Sequence, residues 1–309
     1  MPVDRARRIF DWSVGMAKDV SREWSADRVG GLSAEIAFFA LLGLFPLVIV
    51  MAAALGSFDS LIGAHAASQV ENWLLDRIST TFGADNTLAS TVSDLFDGSN
   101  AGALTTGLVF SIYAASRGFV AVVGALDVAY GYKTTRGWLA TRLVGFGLTV
   151  ASVMVAAVVM LMAVVGPLFG LGGGISNRLG AGHGFVVVWD LARWPLVAVM
   201  LVVWSATVYH VAPSHRTPWR SELPGASIAT VWWVIVSLGF NRYLAAASSG
   251  ANAVFGLLGG ALSVMFWLYL MAMGLLVGAE INALLAVKDG KSIAVERRSP
   301  HLPMGRHKG

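Results

Sequence analysis

Five polar side chains stand inside long apolar runs or at their ends: Glu35, Arg117, Asp127, Glu280 and Asn282. A charge at the centre of a membrane helix costs about 2.5–3.5 kcal/mol on insertion scales, so it is expected to face the bundle interior and to find a partner. Arg117 is the deepest of the five. It lies ten residues before Asp127, which marks the inner end of its run; at the helical rise that is about 15 Å of depth. Glu280 lies seven residues before Val287, about 10 Å from the same surface. The two levels differ by about 5 Å, within reach of an Arg and a Glu side chain. The expectation is therefore that Arg117 pairs with Glu280, or failing that with Glu35, in a polar pathway opening to the cytoplasm. For Glu35, Asp127 and Glu280 the competing role is interfacial anchoring or bundle glue. Asp190 and Arg193, three apart and so on one helix face, read as a local ion pair near the outer surface.

Signals for catalysis are absent from the sequence. The six histidines are His65, His183, His210, His215, His301 and His307, and none makes a metal-binding spacing such as HExxH. His210 and His215 read as solvated loop residues. Gly290-Lys291-Ser292 has the end of a phosphate-binding loop, but Leu285 stands where its first glycine must be. With no cysteine there is no disulfide, thiolate metal site or thiol nucleophile. No cofactor is implied, and the chain reads as a non-enzyme.

The elements that must position these side chains follow from composition. The 309 residues are 56% hydrophobic and 13% charged, and the mean hydropathy is +0.68. One soluble core could not hide that much apolar surface. What remains is an all-α, polytopic membrane protein. A span needs about 20 apolar residues to cross about 30 Å of hydrocarbon. Six runs qualify: residues 33–55, 102–126, 138–166, 185–208, 223–240 and 255–287. The last is longer than a bilayer requires and should tilt or project.

Six spans put both termini on one side. The N-terminal segment, the tail and the loops after spans two and four hold 17 of the 22 Lys/Arg, against three in the alternate loops. The positive-inside rule makes that side cytoplasmic. The net charge of +4 and the pI near 9.6 thus reflect orientation, and nucleic-acid binding is not required. The expected organisation is a cytoplasmic amphipathic segment (1–32), a six-helix transmembrane domain (33–287) and a disordered cytoplasmic tail (288–309). Ile9, Trp12, Met16, Val20 and Trp24 recur at helical spacing among basic residues. They fit a helix on the inner membrane surface, or one packed on the bundle. No cleavable signal peptide is expected. The acidic outer loop between spans one and two should hold two amphipathic helices, around Val70–Ile78 and Leu88–Phe96. The next outer loop carries eight glycines between Gly166 and Gly184. In the last span Gly256, Gly260, Gly274 and Gly278 form two GxxxG steps, read as packing within the chain first and dimerisation second. Pro46 should kink the first span.

At this point a family resemblance becomes legible. The chain resembles the YihY/BrkB family of bacterial inner-membrane proteins, also labelled ribonuclease BN-like. The similar elements are Phe45-Pro46; Ala125-Leu126-Asp127 with Tyr130-Gly131; Tyr209 with Ala212-Pro213; and Pro218-Trp219-Arg220. Leu223-Pro224-Gly225-Ala226, Asn252-Ala253-Val254-Phe255-Gly256 and Gly278-Ala279-Glu280 with Asn282 complete the set. The resemblance implies six helices and an inner-membrane location, and weakly an envelope role. It implies no settled activity. The expected function is a transporter-like or envelope-lipid-handling factor, with membrane lipids and a small solute or lipid substrate as partners. The alternatives are a membrane scaffold and, disfavoured for want of a nuclease ligand set, a tRNA-processing ribonuclease.

Overall fold

Inside hydrocarbon every backbone N–H and C=O must be satisfied within its own segment, and helices do this without a partner. Each apolar run is accordingly a long α-helix: α1 Val29–Ser57, α2 Ala101–Ala129, α3 Trp138–Met160, α4 Gly182–Val211, α5 Leu223–Ala247 and α6 Ala253–Lys288. A 3-10 turn over Trp219–Glu222 leads into α5. The computed structural model describes residues 15, 19–20, 24–57, 72, 75–80, 101–132, 136–160, 162, 182–215, 217–247 and 253–288. Among the described residues there is no strand.

Among the described residues four stretches are long and apolar enough to cross a membrane: Trp138–Val159, Leu191–Val211, Trp219–Ala246 and Gly259–Val287, while Val29–Leu44 is a shorter apolar stretch. The helices extend past several expected boundaries. α1 begins at Val29 rather than residue 33, and α5 reaches Ala247 rather than residue 240. α6 has 36 residues, about 54 Å of helix against about 30 Å of hydrocarbon. Pro46 lies within α1, which continues past it.

α1 packs chiefly on α2, and α6 on α5 and α1. Val29, Leu126, Tyr209, Leu276 and Ala279 lie in the core between them. The outer surface is apolar, with Leu139, Leu143 and Met154 of α3 and Val231, Ile235 and Leu238 of α5 exposed. Such a surface suits lipid and not water.

Small residues bring α5 and α6 together. A Cβ on Gly278 would meet the Gly225 carbonyl oxygen at 2.6 Å and the Tyr209 hydroxyl closer still. One on Gly274 would meet the Trp232 ring, 2.8 Å from Cγ. These two glycines therefore serve contacts within the chain. Gly260 is buried, and the surroundings of Gly256 lie outside the described residues. So do most of the N-terminal segment, the glycine-rich loop up to residue 181 and the tail from residue 289. Of the first outer loop only residues 72 and 75–80 are described. They are helical. The rest of its two expected helices lies outside the described residues.

Candidate functional site

One end of the bundle gathers the polar side chains, and the end of α2 sets the geometry. Gly131 has φ 69°, a left-handed conformation that glycine adopts without steric cost. The Tyr132 N–H donates to the Asp127 carbonyl (2.8 Å) and the Gly131 N–H to the Val128 carbonyl (2.9 Å). This pair of bonds is the Schellman termination. Tyr130 is 3% exposed. Its ring stacks on Tyr132 at 5.8 Å between centroids.

The end of α4 is held from two sides. Arg136 donates to the carbonyls of Ala212 (2.7 Å) and Val211 (3.2 Å). These carbonyls would otherwise be orphaned, and a cation also suits the negative end of the helix dipole. The Asp127 carboxylate accepts the Ser214 N–H (2.6 Å) and hydroxyl (2.7 Å). Asp127 therefore fixes the turn after α4. His210 Nδ1 lies 2.7 Å from the Thr217 carbonyl oxygen. A carbonyl only accepts, so the proton sits on Nδ1.

Glu222 is the centre of the cluster and is 1% exposed. One carboxylate oxygen accepts the Thr217 hydroxyl. The other accepts the Tyr130 hydroxyl and, at 2.8 Å, the Asn282 amide. Asn282 Oδ1 in turn accepts the Gly225 N–H at 2.7 Å, one of the donors left open at the start of α5. One asparagine of α6 thus ties together the α5 N-terminus, the 3-10 turn and α2. Burial raises the pKa of the nearby Tyr132 phenol, and the charges of Glu222 and Asp127 add to that. Three further donors reach α6 carbonyls: Tyr209 to Leu275 (2.7 Å), Trp232 to Leu270 (2.8 Å) and Trp233 to Met271 (2.8 Å).

A cleft of about 360 Å³ opens beside the cluster. Its lining combines Arg220, Ser221 and Asn282 with Pro218, Pro224, Leu285 and Ala286. The volume lies at the low end of the range of about 300–1,000 Å³ for small-molecule sites. The mixed lining can hold a polar group against apolar walls.

The residues singled out from sequence divide into two sets. Asp127 (1% exposed), Asn282 (3%) and Glu280 (2%) are buried at this end of the bundle. Arg117 and Glu35 are exposed. The Arg117 guanidinium lies over the Phe39 ring at 5.3 Å. Among the described residues no ion pair joins Arg117 to Glu280 or to Glu35, which corrects the expected pairing. Depth along a helix can be counted from sequence, but the direction around it cannot when all faces are apolar. Arg193 lies over Trp194 at 5.5 Å, and the side chain of Asp190 lies outside the described residues. Glu222, Thr217 and Ser214 were missed. The signal for Glu222 was its place between Pro218-Trp219-Arg220 and Leu223-Pro224-Gly225. Among the described residues no group of three or more His, Asp or Glu could hold a metal ion.

Comparison with known proteins bears on the same residues. The family model described as "Virulence factor BrkB" matches residues 20–301. The chain is 32% identical over 255 residues to the ribonuclease-like protein YfkH of Bacillus subtilis strain 168, covering 82% of this chain and 88% of that protein. It is 26% identical over 292 residues to a UPF0761 membrane protein of Xanthomonas oryzae pv. oryzae strain PXO99A, covering 92% of this chain. The match spans 62% of that longer protein. No solved structure matches.

Proposed function

The chain belongs to the virulence factor BrkB family, and from that premise we propose a six-span inner-membrane protein that moves or handles a small solute or an envelope lipid. Both termini are cytoplasmic in this reading, and the cluster around Glu222 lies at the cytoplasmic end. One observation carries it. Asp127, Glu222 and Glu280, each no more than 2% exposed, are concentrated at one end of a bundle whose outside is apolar. Buried carboxylates are costly in a membrane and mark substrate or ion pathways more often than surface charges do. The adjoining cleft offers an entry from the same end. The proposed partners are membrane lipids and the substrate itself, with no nucleic acid and no bond-making chemistry.

The second reading is a scaffold without transport. It is favoured by the completeness of the Glu222 contacts, since a fully satisfied polar network rigidifies a core. Flux or lipid translocation in proteoliposomes separates the two. Loss of movement in Glu280→Gln or Glu222→Gln, with unchanged folding, supports transport. Absence of any movement by the native protein, together with normal cellular function of both variants, supports the scaffold. RNA cleavage by highly purified protein, abolished by a point substitution, would instead favour a ribonuclease.

A further inference from the structure

Two guanidiniums occupy the apolar side of the bundle formed by α1, α2 and α3. Arg117 of α2 is exposed, its guanidinium 5.3 Å from the Phe39 ring centroid. Arg142 of α3 reaches the Tyr113 ring at 5.0 Å. Tyr113 lies one turn before Arg117 on α2, so the two share a face. The two cations therefore flank one stripe of the same helix. Arg142 Nη1 is buried and has no hydrogen-bond partner. Among the described residues neither guanidinium has a carboxylate within ion-pair distance. The aromatic faces supply cation–π contact only, which leaves the guanidinium N–H donors open.

Depth sharpens the problem. Trp138 opens α3 and is 76% exposed, as suits an aromatic at the membrane interface. Arg142 is four residues further along α3, about 6 Å deeper. A Cβ on Gly145 would lie 3.2 Å from the Ser116 carbonyl oxygen, which places Arg117 at the level of the residues just past Gly145. That is roughly 10–12 Å from Trp138, a depth from which an arginine can extend toward the headgroups. Two like charges along one stripe of α2 in an apolar setting call for an anion with several acceptor oxygens. A phosphate group matches two planar donor forks.

From this we infer that Arg117 and Arg142, framed by Phe39 and Tyr113, bind the phosphate of an anionic membrane lipid on the outer surface of the bundle. The depth rests on the six-span reading, but the site is separate from the Glu222 cluster and does not require that cluster to move a substrate.

The test uses the full-length protein in detergent micelles, titrated with phosphatidylglycerol or phosphatidylcholine and read by native mass spectrometry. Phosphatidylglycerol should bind about tenfold tighter than phosphatidylcholine, because both present the phosphate but the choline cation of the latter offsets its charge and is repelled by the two guanidiniums. Arg117→Gln with Arg142→Gln should abolish that preference. Arg117→Lys with Arg142→Lys should keep most of it, which guards against a folding defect in the first variant. Arg242→Gln, an exposed arginine of α5 outside both sites, should leave it unchanged. Equal binding of the two lipids, or a preference that survives the double glutamine variant, overturns the inference. Competition by millimolar inorganic phosphate that matches the lipid's occupancy would assign the site to a soluble phosphate and overturn the lipid assignment. The topology is read separately: a reporter after Lys133 that faces outward refutes the six-span reading, whatever the lipid result.

Discussion

Replacing Asn282 by alanine should be the most damaging single change in the polar cluster. The side chain accepts the Gly225 N–H at 2.7 Å and donates to Glu222 at 2.8 Å. Leaving a buried donor unsatisfied costs about 1–3 kcal/mol, and losing a hydrogen bond to a charged group about 1.5–3 kcal/mol. Together the loss is about 2.5–6 kcal/mol, a large fraction of the roughly 5–15 kcal/mol typical of whole domains. Unfolding in mixed micelles, followed by the fluorescence of the 11 tryptophans, measures it. Ser227→Ala is the control, because its exposed hydroxyl only bonds the Leu223 carbonyl one turn back; it should change stability by less than about 0.5 kcal/mol. Tyr130 and Asn282 bond the same carboxylate oxygen of Glu222. Tyr130→Phe and Asn282→Ala should therefore be coupled by at least about 0.5 kcal/mol in a double-mutant cycle. An Asn282→Ala protein within 0.5 kcal/mol of the native one, or strict additivity with Tyr130→Phe, would show that the cluster does not hold the bundle end together.

Other substitutions probe the remaining contacts. Gly278→Ala should destabilise by about 2 kcal/mol or more, because its Cβ meets the Gly225 carbonyl. Gly124→Ala, with nothing within 4 Å, should be neutral or slightly stabilising; equal effects at the two positions would contradict the close approach of α5 and α6. Arg136→Gln should cost about 1–3 kcal/mol and speed amide exchange at residues 211–215, and unchanged exchange there would remove Arg136 as the cap of α4. Reporters fused after Lys133, after Arg216 and at the C-terminus should read cytoplasm. Fusions near Asp85, Ser176 and Ser248 should read the outer side, and a reproducible reversal at any one of them breaks the six-span topology.

The position of each long helix was legible because an apolar run without charges has few alternatives in a chain this hydrophobic. Helix ends were less so. α5 continues to Ala247 through Asn241 and Arg242, since a helix that leaves the hydrocarbon meets water that solvates such side chains. α2 ends at Ala129, past the expected residue 126, because Gly131 supplies the left-handed conformation that its Schellman termination needs. Asp127 and Asn282 stood out as polar interruptions of apolar helices. Glu222 did not, because it precedes the fifth apolar run in what reads as a polar loop. Only the fold turns that loop inward.

The misplacement of Arg117 has a more general cause. In a soluble helix the buried face is apolar and the other polar, so a period of 3.6 marks the inside. In a membrane helix lipid and protein interior are both apolar, and the same period carries little orientation. A count of residues therefore located Arg117 and Glu280 at compatible depths, but it could not show that one looks outward and the other inward. The contacts that do specify inside are of another kind: small residues where backbones touch, as at Gly225 and Gly278, and polar side chains bonded to backbone, as at Asn282. The family-like segments Ala125–Gly131, Tyr209–Pro213, Pro218–Arg220, Leu223–Ala226 and Gly278–Asn282 each contribute to that one end of the bundle. Most of the recognisable part of the sequence thus converges on the end of the bundle where Glu222 and its partners are buried. Any function assigned to that end must operate through this network or leave it intact.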